Sequence, residues 1–249
     1  APVSPHYGDC GGCSLQHWAN GPYLAWKRDQ VRLALAREGI ETEIEAAVAV
    51  PSASRRRLAL HARRADDGRV VLGFKARKSW RLVEVTACPV AHPRLVEALP
   101  ALARIAEAFL EHPKSAPTLH VTLTLTGLDI DVTGVERRSG GLSGDAQMRA
   151  IRAAAGADVA RLSLAGETLM MERQPTIAFG AATVPLPPGG FLQAVPEAEA
   201  AMVQRAVEAV QGAKKIAVGR DYEDVAPVRG NYHGTGHCRM EIQVEVEKL

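Results

Sequence analysis

Aromatic residues are scarce in this chain: phenylalanine, tryptophan and tyrosine make up 4% of its 249 residues. Few side chains are therefore on hand to stack against a base. Cysteine is sparse as well, at four, too few for a disulfide scaffold. A Cys-x-x-Cys pair in such a chain points instead to metal or redox chemistry in a reducing compartment. No apolar run approaches the ~18 residues a membrane span needs. The first residues, Ala1 to Pro5, show no basic segment leading into an apolar one, as a secretory signal would. These absences predict a cytoplasmic globular protein with no membrane partner. Internal repeats and low-complexity linkers are missing too, which argues against a solenoid.

Acidic residues are nearly absent from one stretch. Between positions 55 and 81, ten basic side chains stand against Asp66 and Asp67, a local charge of +8 in a chain whose net charge is +2. A phosphate backbone would use basicity of this density. A solvated face of an arginine-rich sheet would look the same, so both readings stand at this point.

Periodicity predicts a helix over 23–38, with Leu24, Val31 and Leu35 on one face and Gly39 ending it. Segments 58–63, 70–75 and 80–86 are short, rich in β-formers and separated by turn residues, which predicts an antiparallel meander carrying the basic cluster. A helix over 93–112 is expected to kink at Pro100. Segments 118–127 and 128–134 predict a hairpin, 144–155 and 197–210 helices, 159–186 several short strands, and 239–248 a half-exposed strand. Strands in runs with helices between them favour an α+β fold.

Cysteine thiolates are soft, anionic donors for zinc and iron–sulfur clusters. Cys10 and Cys13 form a CxxC whose Gly11 and Gly12 let the backbone fold tightly around a metal. Cys88, between a predicted strand and Pro89, offers a third ligand. A reduced pair of loop cysteines is the alternative. The imidazoles of His61 and His120 fall within strands and read as packing or surface residues, and Asp129 and Asp131 as a solvated strand face. The pair His233 and His237 reads as a polar turn, and Cys238 as a weak candidate for a further ligand.

Several of these motifs together resemble one family. The run 10–17 (CGGCSLQH), Tyr23 and Lys27 in the following helix, 71–90 (VLGFKARKSWRLVEVTACPV) and 188–193 (PGGFLQ) are similar to the iron–sulfur class I RNA 5-methyluridine methyltransferases. These enzymes methylate uracil C5 in ribosomal or transfer RNA with S-adenosylmethionine (SAM). The resemblance covers residues 1 to about 214. It implies that Cys10, Cys13 and Cys88 are ligands of a [4Fe–4S] cluster and that Gln193 contacts SAM. It also implies that Arg55, Arg56, Arg57, Arg63, Lys75, Arg77 and Lys78 face rRNA or tRNA.

Three positions depart from that pattern. Ser4 stands where the family's first cluster cysteine should be, and an alkoxide is a harder, far less acidic donor than a thiolate. Val195 replaces an asparagine two residues after Gln193. After 213–217 the family's SAM loop is expected, followed by a nucleophilic cysteine for uracil C6 and a glutamate base for the C5 proton. The chain reads instead as a tail, 218–249, that resembles the C-terminus of bacterial transglutaminase-like proteins.

The expected architecture is therefore α+β: an antiparallel or mixed sheet body with packed helices and an N-terminal cysteine-bearing arm, the Rossmann-like methyltransferase domain being absent. Its expected parts are a cysteine arm and helix (1–40), a central RNA-binding domain (41–190), the start of a linker helix (191–214) and a foreign tail (215–249). No catalytic residue is assigned, and the isolated chain is expected to be inactive in methyl transfer. The alternative is a non-catalytic RNA- or metal-binding module arising from a fusion or truncation, and an artificial join near 213–218 is a third reading.

Overall fold

A computed structural model describes residues 2–136 and 141–211. The predicted strand at 239–248, Cys238, and the pair His233 and His237 lie outside the described residues.

The body is one seven-stranded mixed sheet in the order β3-β2-β1-β4-β5-β6-β7. Its strands are β1 (Arg57–Arg64), β2 (Val70–Lys75), β3 (Leu82–Glu84), β4 (Thr118–Thr124), β5 (Gly127–Thr133), β6 (Val159–Leu164) and β7 (Glu167–Met171). Neighbours are antiparallel except β5 and β6, which run parallel. A parallel step needs a crossover, and it contains α4 (Gly144–Ala155). The basic meander is thus one edge of a larger sheet, joined through β1 to the β4–β5 hairpin. A separate hairpin, β8 (Thr176–Phe179) with β9 (Ala182–Pro185), closes a small cluster of Ile177, Leu186 and Leu192.

Alternation along the strands separates two faces. Leu58, Leu60 and Ala62 of β1 point to the core, as do Leu119 and Val121 of β4 and Leu128, Ile130 and Val132 of β5. Helices α2 (Pro93–Glu97), α3 (Leu99–Ala108) and α4 cover that face with Leu95, Leu102, Ile105, Ala146 and Ala150, while Phe109 fills the space just past α3. Each fully buried leucine or isoleucine here contributes about 1.5–3 kcal/mol. Arg57, Ala59, His61 and Arg63 alternate to the opposite face, and the His61–Gly73 register puts Lys75 of β2 there with them.

Helix ends follow local chemistry. Helix α1 (Asn20–Arg37) stops in a Schellman turn: Ile40 N–H donates to the Leu35 carbonyl, Gly39 N–H to that of Ala36, and Gly39 takes φ +74°. The Ser143 hydroxyl caps α4 by accepting from Ala146 N–H at 3.1 Å. The single kinked helix predicted over 93–112 is two helices. Pro100 lies in the first turn of α3, where its missing N–H leaves no bond unmade. Neither α1 nor α5 (Pro196–Val210) buries a residue.

Candidate functional site

The N-terminal arm reaches the open end of β2. Gly11 N–H donates to the Lys75 carbonyl at 3.1 Å, and Cys10 forms a β-bridge with Ala76. A Cβ on Gly11 would stand 2.8 Å from that carbonyl oxygen, so only glycine allows the approach. Further contacts fix the arm: Arg81 pairs with Asp9 at 2.9 Å, and His6 Nε2 accepts from Thr86 N–H at 3.2 Å.

Docked this way, the arm roofs a cavity of about 240 Å³. Ser4, Cys10, Cys13 and Cys88 all line it, with Arg55 and His6 at its polar side and Leu58, Phe74 and Val85 as apolar wall. The three cysteines are free, half-buried thiols. The Ser4 hydroxyl accepts from His6 N–H at 3.2 Å, and Ser4 N–H donates to Gln16 Oε1 at 3.1 Å. The serine thus shapes the turn while facing the same space as the thiols. Among the described residues no three His, Cys, Asp or Glu side chains converge as ligands of one metal ion. Cys10, Cys13 and Cys88 nevertheless line one cavity together with Ser4.

The basic cluster divides sharply into paired and unpaired groups. Arg64 pairs with Glu107, Arg69 with Asp67 and Glu84, and Arg81 with Asp9. The Glu84 carboxyl is held below its ordinary range by the bonds from Arg69. Among the described residues no ion pair involves Arg55, Arg57, Arg63, Lys75, Arg77 or Lys78. Arg55, Arg63, Arg77 and Lys78 are exposed, and Arg57 and Lys75 half-buried.

Arg56, also expected to face RNA, is placed differently from the other cations. It is buried, its guanidinium donates to Glu199 at 2.8 Å and to the Gln193 carbonyl at 3.1 Å, and its backbone bonds Ala194 and Leu123. It therefore ties the segment before α5 to the sheet, and its burial and its pairing with Glu199 set it apart from the exposed cations. Glu199 lies 143 positions away, and no local signal links the two. Gln193, expected at SAM, is half-buried in that tied segment.

The open face of the sheet also holds His61 and His120. His61 Nδ1 lies 2.9 Å from the Thr118 hydroxyl, and His120 Nε2 lies 3.1 Å from that of Thr133. Burial first, then Lys75 and His120, push the His61 imidazole below its ordinary pKa. Asp129 is not on a solvated face as expected. Arg161 of β6 grips it through two hydrogen bonds of 2.8 Å, and both side chains are buried. Burial raises the Asp129 carboxyl and the Arg161 guanidinium opposes the rise. Asp131 accepts from Gly166 N–H at 2.9 Å.

No protein-family model matches the chain. It is 65% identical over 218 residues to a protein of Caulobacter vibrioides named an uncharacterized RNA methyltransferase, covering 87% of this chain and 52% of that one. It is 40% identical over 116 residues to the 23S rRNA (uracil(1939)-C(5))-methyltransferase RlmD of Halomonas elongata, covering 46% of this chain and 24% of that one. Its fold matches that of the Pyrococcus abyssi tRNA (uracil-54, C5)-methyltransferase, solved with S-adenosyl-L-homocysteine. The TM-score is 0.58 at 21% identity, over 86% of this chain and 53% of that one. This likeness overturns the expectation of an α+β chain from which the Rossmann-like methyltransferase domain is absent. Over most of its length the chain has a fold found within a methyltransferase, built on a seven-stranded mixed sheet. The chain spans about half the length of the curated relatives it matches, and those relatives are named RNA methyltransferases.

Proposed function

We propose that this chain supplies the RNA-binding surface of a SAM-dependent uracil-C5 methyltransferase acting on rRNA or tRNA. The observation that carries this reading is the split within the basic cluster. Arg55, Arg57, Arg63, Lys75, Arg77 and Lys78 form no ion pair among the described residues, while the arginines between them do. Cations clustered on the β1–β3 hairpins without ion-pair partners supply the counterion release that drives binding to a phosphate backbone. The relatives named as RNA methyltransferases, and the uracil-C5 enzymes among the similar proteins, point to the same substrate.

On the same reading a [4Fe–4S] cluster would be held by Cys10, Cys13 and Cys88, which line one cavity together with Ser4. Bound there, a cluster would cross-link the arm to the strand ends and carry a redox-active iron centre. SAM is the methyl donor this reading requires, and Gln193 is the residue offered to it.

The test is fluorescence anisotropy of the full chain with a uracil-containing stem-loop RNA across a salt series. Binding should weaken steeply with salt, and each of Arg57→Ala, Arg63→Ala and Lys75→Ala should lower the log–log slope by about 1. Salt-independent binding, or none, would sink the reading. For the cluster, anaerobic reconstitution followed by iron and sulfide counting should show iron lost in Cys10→Ser and better retained in Ser4→Cys. Equal iron in the wild-type chain and Ser4→Cys would show that Ser4 does not limit assembly.

A further inference from the structure

One aromatic side chain lies in the basic region and takes no part in the core. Trp80 is 86% exposed. Burying an indole is worth several times the gain from a methyl group, so an indole exposed on an ordered turn is a large apolar surface on offer to a ligand. It sits on the β2–β3 turn with Arg77 and Lys78, both exposed and without acidic partners among the described residues.

That turn is tightly held. Ala76 N–H donates to the Arg81 carbonyl at 2.8 Å, Ser79 N–H to the Ala76 carbonyl at 3.1 Å, and Arg81 N–H to the Ser79 hydroxyl at 3.1 Å. Lys78 takes φ +51°, a left-handed conformation that L residues with long side chains rarely adopt. The cysteine arm braces the base of the turn through Gly11 and Lys75, Cys10 and Ala76, and Asp9 and Arg81. Lys75 Nζ lies 3.9 Å from the indole centroid, so a cation–π contact orients the ring. With 86% of the residue exposed, that contact leaves most of the ring free.

We infer that Trp80 is a nucleobase-stacking platform: an unpaired base of bound RNA lies on the indole while Arg77 and Lys78 meet its flanking phosphates. This rests on the reading that the basic surface binds RNA, and it adds how that surface tells single-stranded RNA from any other polyanion. A ring fixed by a braced turn loses little entropy on stacking, and its π-face accepts every base.

The experiment compares the full chain with Trp80→Ala and Trp80→Phe on two probes, a uracil-containing single-stranded RNA and inorganic polyphosphate, which has charge but no bases. Trp80→Ala should weaken RNA binding roughly 5- to 150-fold and leave the salt slope and polyphosphate binding unchanged. Trp80→Phe should recover part of the loss. Exposure at this position means that thermal stability should not move, which circular dichroism checks. Equal weakening on both probes would overturn the inference, as would unchanged RNA affinity in Trp80→Ala. In either case, salt-dependent RNA binding by the wild-type chain leaves the RNA reading intact. Binding of neither probe overturns both.

Discussion

Replacing Arg161 by leucine would strand the Asp129 carboxylate in the sheet with neither water nor a partner. Breaking a buried pair from one side costs about 3–5 kcal/mol, so Arg161→Leu should lower the urea midpoint severely. Replacing both residues by apolar ones should cost much less, and equal losses in the two variants would refute this account. His61 gives a second residue-level prediction. Burial and the neighbouring Lys75 hold its folded-state pKa below that of an ordinary histidine, so the unfolded chain takes up the proton first as pH falls. Stability is thus unaffected by this group above about pH 6.5 and is lost progressively below it. Thermal midpoints between pH 7.5 and 5 should fall less in His61→Gln than in the wild-type chain, and identical slopes would rule His61 out. The same scale shows what local sequence can carry. Ser143 as a cap and Gly39 as a helix end are readable because their partners lie within a few residues. The burial of Arg56 is not, because Arg55, Arg56 and Arg57 are chemically alike. Only the return of the chain at Glu199 distinguishes the middle one.

Among elements, two glycines decide whether the basic hairpin and its brace exist. At Gly73 an added Cβ would stand 1.8 Å from the Val83 carbonyl oxygen, so Gly73→Ala must push β3 away from β2. At Gly11 the overlap is with the Lys75 carbonyl oxygen, so Gly11→Ala should lift the arm from the sheet. Because Gly11 is exposed and lies in the arm rather than in the sheet, Gly11→Ala should leave global stability within about 1 kcal/mol yet expose the arm to limited proteolysis. Unaltered proteolysis would show that the arm does not depend on this contact. The strands themselves are visible as alternating runs, and the turns as Asp66-Asp67-Gly68 and similar clusters. What the runs do not reveal is their pairing. The parallel step between β5 and β6 depends on α4 packing over the core face, and nothing within either strand records it.

For the whole molecule, the decisive seam is that between β1 and β4, where Leu60 faces Leu119. Both residues are fully buried. Leu60→Ala should therefore cost about 2–5 kcal/mol, read as a shifted denaturant midpoint. RNA binding should vanish along the same transition as the circular dichroism signal, and binding that outlasts the sheet would place the RNA surface elsewhere. Likeness to RNA methyltransferases was legible in short motifs of the sequence. The cavity uniting Ser4 with Cys10, Cys13 and Cys88 was not, because it needs the arm seated on β2 before the four residues share one space. That seam also sets an order of events. The turns β1–β2, β2–β3 and β4–β5 close locally, but His61 and its hydroxyl partner Thr118 are 57 positions apart, and so long a loop closes late and at an entropic cost. The open face runs across this join, with Arg57, His61 and Arg63 on one side and His120 on the other. His61 and His120 therefore come to share one face only when β1 has paired with β4.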